Sequence, residues 1–178
     1  MNKCCESLLI RGLMVLILIL AHGHGAEAEP RWGSGLAIGE LRMAEGEASG
    51  LGLLAVDASM PLLPHVDFRG ALSSGLNSRA TEQGIRVRVE QGYGATLLGH
   101  APLPRGRVYI GYGLTRMEAS ALSDGERRYV ARRGGSMLAG LEWRPNRRMM
   151  LVLEYQEALD RDALGLRWLM FGLRYRDI

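Results

Sequence analysis

The stretch Ile85-Arg-Val-Arg-Val-Glu-Gln-Gly-Tyr-Gly-Ala-Thr-Leu-Leu98 alternates along its whole length. One parity reads Ile85, Val87, Val89, Gln91, Tyr93, Ala95 and Leu97. The other reads Arg86, Arg88, Glu90, Gly92, Gly94 and Thr96. Successive side chains of a strand point to opposite faces, so this is a strand with one apolar face and one polar, glycine-rich face. No helical period of 3.6 residues holds over two turns anywhere from Arg31 onward.

The same pattern recurs on both sides. Val108, Ile110, Tyr112 and Leu114 alternate with Arg107, Tyr109, Gly111, Gly113 and Thr115. Met149, Leu151, Leu153 and Tyr155 alternate with Met150, Val152, Glu154 and Gln156. Leu169, Phe171, Leu173 and Tyr175 alternate with Trp168, Met170, Gly172, Arg174 and Arg176. Weaker alternation over 31–43, 51–60, 66–74 and 136–144 brings the count to eight strands. The connections 61–65, 99–106 and 145–147 are short and carry prolines, whereas 44–50, 76–84, 118–134 and 158–163 read as polar loops. Tight turns at one end and longer loops at the other are the plan of a bacterial outer-membrane barrel.

Alternation alone leaves open which face is inside, since a soluble lipid-binding barrel of the periplasm also alternates. Three features favour lipid on the apolar side. Glycines 92, 94, 111, 113, 140 and 172 lie on the polar parity, which suits a narrow interior shared with charged side chains. With the N-terminus in the periplasm, Trp32, Phe68, Tyr93, Trp143 and Tyr175 are expected at one membrane interface and Tyr155 at the other. Strands of about 9–11 residues fit a tilted span. The predicted fold is therefore all-β, an eight-stranded antiparallel up-and-down transmembrane β-barrel, preceded by a cleaved signal peptide. Closure is required, because hydrocarbon offers no partner to an open sheet edge. Val87 and its parity are expected to face lipid. Asp67, Arg69, Arg86, Arg88, Glu90, Arg107, Glu142 and Glu154 are expected to form an ionic cluster inside, where eight strands leave room only for packed side chains.

Composition narrows the chemistry. The 178 residues carry a net charge of +3 and suit one domain. The mean hydropathy of −0.02 excludes a helical multi-span protein. Lys3 and Arg11, the apolar run Leu13–Ala21 and the small-x-small site Ala26-Glu-Ala28 read as a secretory signal over residues 1–28, leaving a barrel domain over 29–178. Both cysteines, Cys4 and Cys5, and the single lysine fall in that signal segment. The barrel domain therefore holds no disulfide framework, thiolate zinc site, Walker-type phosphate loop or Schiff-base lysine.

Further residues carry a resemblance. The run Tyr93-Gly-Ala-Thr-Leu-Leu-Gly-His-Ala-Pro-Leu-Pro-Arg-Gly106, followed by Val108-Tyr-Ile-Gly-Tyr-Gly-Leu114, resembles the central hairpin of the small outer-membrane β-barrel superfamily, that of the OmpA transmembrane domain and OmpX-like proteins. The runs 135–146, 151–155 and 171–175 resemble its last three strands. The resemblance implies a Gram-negative outer-membrane location, insertion by the barrel assembly machinery, and contact with outer-membrane lipids and lipopolysaccharide. Members usually end in an aromatic residue, where this chain has Asp177-Ile178, so Asp177→Phe is expected to raise the assembled fraction.

Function is read mainly by exclusion. The superfamily includes a lipid A deacylase and a lipid A palmitoyltransferase, whose catalytic His and Ser work near the outer-leaflet end. Beyond the signal the histidines are His65 and His100, both in predicted periplasmic turns. No catalytic, cofactor-binding or metal-ligating set stands out, and the small net charge of a secreted chain argues against nucleic acid. Arg127, Arg128, Arg132 and Arg133 are the exposed cluster suited to anionic lipopolysaccharide or a partner surface, because guanidinium forks bind phosphates bidentately. The reading is a non-enzymatic barrel with a structural, surface-interaction or adhesion role. A lipid A-modifying barrel enzyme and a soluble periplasmic lipid-binding barrel are the alternatives.

Overall fold

The computed structural model describes residues 31–43, 46–123, 125–146, 149–159 and 164–176. The expected signal segment, the side chain of Tyr175, and Asp177 lie outside the described residues. The elements are β1 (Arg31–Met43), β2 (Gly46–Leu63), β3 (Val66–Gly75), β4 (Arg79–Ala80), β5 (Arg86–Leu103), β6 (Gly106–Ser123), β7 (Glu126–Trp143), β8 (Met149–Leu159) and β9 (Leu164–Arg176). Every pairing is antiparallel. β1 pairs with β9 and β3 with β5, which closes the eight long strands into a barrel. The two-residue β4 pairs with the start of β5, Arg79 opposite Val87.

One end of the barrel, the turn end, holds the connections at 64–65 and 104–105 together with Arg31 and Arg176. The other, the hairpin end, holds Met43 opposite Gly46 and Ser123 opposite Glu126. Two expected loops are corrected. Most of 118–134 is ladder, since β6 runs to Ser123 and β7 starts at Glu126, pairing in register throughout. Likewise β1 and β2 pair out to Met43 opposite Gly46. The expected Pro-rich connection 99–106 also shrinks to two residues between β5 and β6. These segments lack a clean apolar alternation because their outer face meets water. The partner strand, not local patterning, holds them extended.

A bulge on β5 reverses its faces. The register of β5 on β6 shifts between Val89 and Gln91. An extra residue turns the parity over. From Gly92 to Leu98 the even positions point inward, as expected, but Val87 and Val89 are also inward, each 1% exposed, while Arg86 and Arg88 are exposed. The expectation that Val87 faces lipid is therefore overturned.

Inside, the lumen has two halves. Toward the turn end it holds buried charges. Toward the hairpin end it holds Leu41, Leu51, Leu53, Val87, Val89, Met117, Ala119 and Leu166, a packed apolar cap over the mouth. A cavity of about 30 Å³ lies between them, lined among others by Ser73, Thr96, Thr115, Gln156 and Trp168. That is room for a water molecule or two.

Outside, exposed apolar residues form a belt with a polar upper limit. On β6, Val108, Ile110, Tyr112 and Leu114 give way to Arg116; on β8, Met149, Leu151, Leu153 and Tyr155 give way to Glu157. On β9 the belt ends at Arg167, which donates to Glu157 at 3.1 Å and lies opposite Glu40 of β1.

Glycine makes the narrow interior possible at two positions. A Cβ on Gly140 would occupy the space of the Tyr109 ring directly across the ladder. A Cβ on Gly113 would run into the Ala95 carbonyl oxygen and come within 2.7 Å of the Thr96 Cα. Those obstacles are backbone and cannot swing away, so Gly113→Ala is expected to cost about 1–3 kcal/mol by overpacking. Gly99→Ala, with open space around it, is the control expected to change little. Urea unfolding of the two variants in detergent micelles checks the difference.

Candidate functional site

Two features stand out, the ionic network in the lumen and the hairpins projecting past the belt. The network is built by period-2 geometry. Asp57 of β2, Asp67 and Arg69 of β3, Arg107 and Tyr109 of β6, Glu142 of β7, Glu154 of β8 and Arg174 of β9 all sit at inward positions and are almost fully buried. Arg107 forms a fork on Glu142, Nε to Oε2 at 2.5 Å and Nη2 to Oε1 at 2.9 Å, and also donates to Asp67. Arg69 donates Nη2 to Glu154 Oε1 at 2.7 Å and makes a second bond to the same carboxylate. Arg174 donates Nε to Asp57 Oδ1 at 3.0 Å and bonds to Glu142. Tyr109 donates its hydroxyl to Glu154 at 2.7 Å, and its ring lies 5.6 Å from the Arg174 guanidinium carbon. At the turn end Arg31 reaches Asp67 at 3.3 Å.

Four guanidiniums thus face four carboxylates. The charge balances, and most of the polar atoms are bonded, which is what burial of ions requires. The partners come from seven of the eight long strands. The network therefore ties the barrel wall together across its lumen.

Of the expected cluster, the structure brings together Asp67, Arg69, Arg107, Glu142 and Glu154. Arg86, Arg88 and Glu90 are not in it. They lie at or beyond the β5 bulge, where Arg88 is 3.9 Å from Glu90 and Ser120 donates to Glu90 at 2.5 Å. Asp57, Arg174, Arg31 and Tyr109 were missed. Parity was available as a signal for all four: Arg31 begins the inward series Gly33, Gly35, Ala37, Asp57 continues Leu51, Leu53, Ala55, Tyr109 follows Arg107 on the polar parity of β6, and Arg174 continues Trp168, Met170, Gly172.

The expected interface aromatics whose side chains are described take outward positions. Trp32, Phe68 and Trp143 lie near the turn end. Tyr93 does not join them. It stands far up β5, paired with Arg116 of β6, whose guanidinium carbon lies 5.9 Å from its ring. The misplacement comes from the true length of β5, which continues to Leu103. Tyr155 caps the outward run of β8. His65 and His100 meet at the turn end with ring centroids 5.5 Å apart.

At the hairpin end, β5, β6 and β7 rise past the belt as a three-stranded blade. Arg127, Arg128, Arg132 and Arg133 are all exposed on its β7 strand. Its inner face supplies Val87, Val89, Met117 and Ala119 to the apolar cap, so the blade is anchored by burial and not only by its ladder.

Several solved structures share this fold. Neisserial surface protein A superposes with a TM-score of 0.69 at 15% identity, over 85% of this chain and 100% of that one. The fold is that of the small outer-membrane β-barrels. The attachment invasion locus protein Ail of Yersinia pestis gives a TM-score of 0.64 at 16% identity, over 85% and 100% of the two chains. The N-terminal β-barrel domain of Pseudomonas aeruginosa OprF gives 0.59 at 10% identity, again over 85% and 100%. No family model and no curated protein sequence matches the chain.

Proposed function

We propose that this chain is an integral protein of the bacterial outer membrane, without catalytic activity, that serves as a surface-contact module. The observation that carries the reading is the blade. An apolar belt ends at a polar limit, and beyond it β5–β7 continue as an ordered, arginine-rich sheet. In this reading residues 1–28 are a cleaved signal, the barrel assembly machinery inserts the chain, the turn end faces the periplasm and the blade faces the outside. Lipid acyl chains surround the belt. The arginines at its upper limit, Arg116 and Arg133, stand where lipopolysaccharide phosphates lie, and Arg127, Arg128 and Arg132 carry the positive charge outward.

Transport is not part of the reading. The balanced network and the apolar cap fill the lumen in series, and an ion would have to break the first and carry water through the second. Purified protein in planar bilayers is expected to show no discrete conductance, and steady single channels would overturn the closed lumen.

Cell labelling tests the placement. The cysteines of the chain, Cys4 and Cys5, fall in the signal segment, so a single introduced cysteine reports alone. A membrane-impermeant maleimide on intact cells is expected to label Glu126→Cys, at the blade tip, and to leave Arg105→Cys, at the turn end, unlabelled until the cells are lysed. The reverse pattern would invert the barrel, and recovery of the protein from the soluble periplasmic fraction would remove it from the membrane.

A further inference from the structure

The turn end carries a pair of side chains that the lumen network does not use. His65 stands in the turn between β2 and β3, and His100 near the end of β5. They are far apart in the chain, but β3 pairs with β5 beside the turn, and the His100 N–H donates to the His65 carbonyl at 2.9 Å. Their rings meet edge to face, with centroids 5.5 Å apart and planes at 66°. His65 has a φ of 66°, in the left-handed region, so the turn fixes where its side chain starts. Beyond the expected signal these are the chain's only histidines.

Two further observations point to a ligand. His100 Nδ1 is buried and has no hydrogen-bond partner among the described residues, where a buried ring nitrogen ordinarily has one. On the other side of the ring, Nε2 faces Asp67 Oδ1 at 3.6 Å, and that oxygen, on a side chain only 1% exposed, also lacks a hydrogen bond. A carboxylate there favours the proton on Nε2 and leaves the lone pair on Nδ1. Histidines that hold metals are arranged this way, one nitrogen on the ion and the other donating to a carboxylate. The ring spacing fits as well. With metal–nitrogen bonds of about 2.0–2.1 Å, two imidazoles on one ion at about 90–120° have centroids about 4.5–5.5 Å apart.

The surrounding charges narrow the ion. Arg107 and Arg31 already bond Asp67, so little of its charge is left for a cation. Among the described residues no three His, Cys, Asp or Glu are placed to share a metal. The protein's bonds must come from two neutral imidazoles, with water completing the shell. Imidazole suits copper, nickel and zinc, whereas calcium and magnesium take oxygen ligands.

We propose that His65 and His100 form a two-imidazole site for a late first-row divalent cation, copper(II) above zinc, at the turn end of the barrel. Asp67 orients His100 and is not a ligand. His65 is exposed, and its ring turns about its side-chain bonds to bring a nitrogen toward Nδ1. The ion clips the β2–β3 turn to β5. The periplasmic reading of the turn end decides only the compartment in which the ion is met.

Copper(II) chloride is titrated into the protein, prepared without a polyhistidine tag, in phosphatidylcholine nanodiscs, where orientation in cells does not enter. One ion per chain is expected, with a paramagnetic resonance spectrum split by two imidazole nitrogens. Nitrogen NMR of the metal-free protein is expected to find the His100 proton on Nε2. His65→Asn keeps a residue that the left-handed position accepts, and His100→Gln keeps an amide that can donate to Asp67. Each is expected to weaken copper at least about ten-fold, the loss that follows even when a residue behind a ligand is replaced. The mobility of unheated samples in gels shows that each variant has closed its barrel. A large excess of magnesium is expected to leave the copper in place. Undiminished binding in either variant would assign the ion to other groups, such as His22 and His24 where the signal is retained, and would overturn the site. A one-nitrogen spectrum, a His100 proton on Nδ1, displacement by magnesium or no binding would also overturn it, and these wild-type results need no variant to fold. Cell labelling decides the surface reading separately.

Discussion

Replacing Arg174 by methionine is expected to lower folded stability by about 3–5 kcal/mol, the cost of removing one partner from a buried ionic group. Arg174 is 1% exposed and stands between Asp57, at 3.0 Å, and Glu142. Methionine fills much of the volume but leaves these carboxylates facing two fewer donated bonds in a site with little water. The large term is this uncompensated charge, not the loss of an attraction that was itself offset by desolvation. Adding Asp57→Asn to Arg174→Met should therefore recover part of the loss, because it removes one of the stranded charges. Urea unfolding in lipid vesicles, followed by tryptophan fluorescence, measures both. A single variant within about 1 kcal/mol of the parent would mean that the network adds nothing to the barrel wall.

Ile110→Arg is the second large effect. Ile110 is 71% exposed on the outer face of β6, one of the middle positions of the run Val108, Ile110, Tyr112, Leu114. A guanidinium there enters acyl chains, at about 2–4 kcal/mol near the midplane and about 0–1 kcal/mol near the rims. Trp143→Arg, close to the turn end, is the low-cost comparison on the same face. Both are read by reversible unfolding from vesicles. Equal costs at the two depths would show that the belt is not a lipid-facing band. A charge at Val87 fails for another reason, since it would enter the apolar cap of the lumen and not lipid.

The alternation of 107–115, 149–156 and 168–176 determined by itself that these segments are strands and which side chains share a face. Direction on a strand is local, because every second residue points the same way whatever the neighbour is. The apolar parity, the glycines opposite it and the need to close an edge in hydrocarbon then led to eight strands and a barrel. By the same rule, five of the eight residues expected in the lumen lie at buried, inward positions.

Only the tertiary structure decided the rest. The bulge beside Glu90 turns Val87 inward and takes Arg86 and Arg88 out of the cluster, and a bulge is a property of how two strands meet, here β5 and β6. The true length of β6 and β7 rests on pairing across 117–123 and 126–132, where water on the outer face erases the apolar signal. The bond from Arg174 to Asp57 joins residues 117 positions apart. No local pattern encodes which guanidinium finds which carboxylate, because that is set by barrel closure, which brings β9 beside β1 and so within reach of β2.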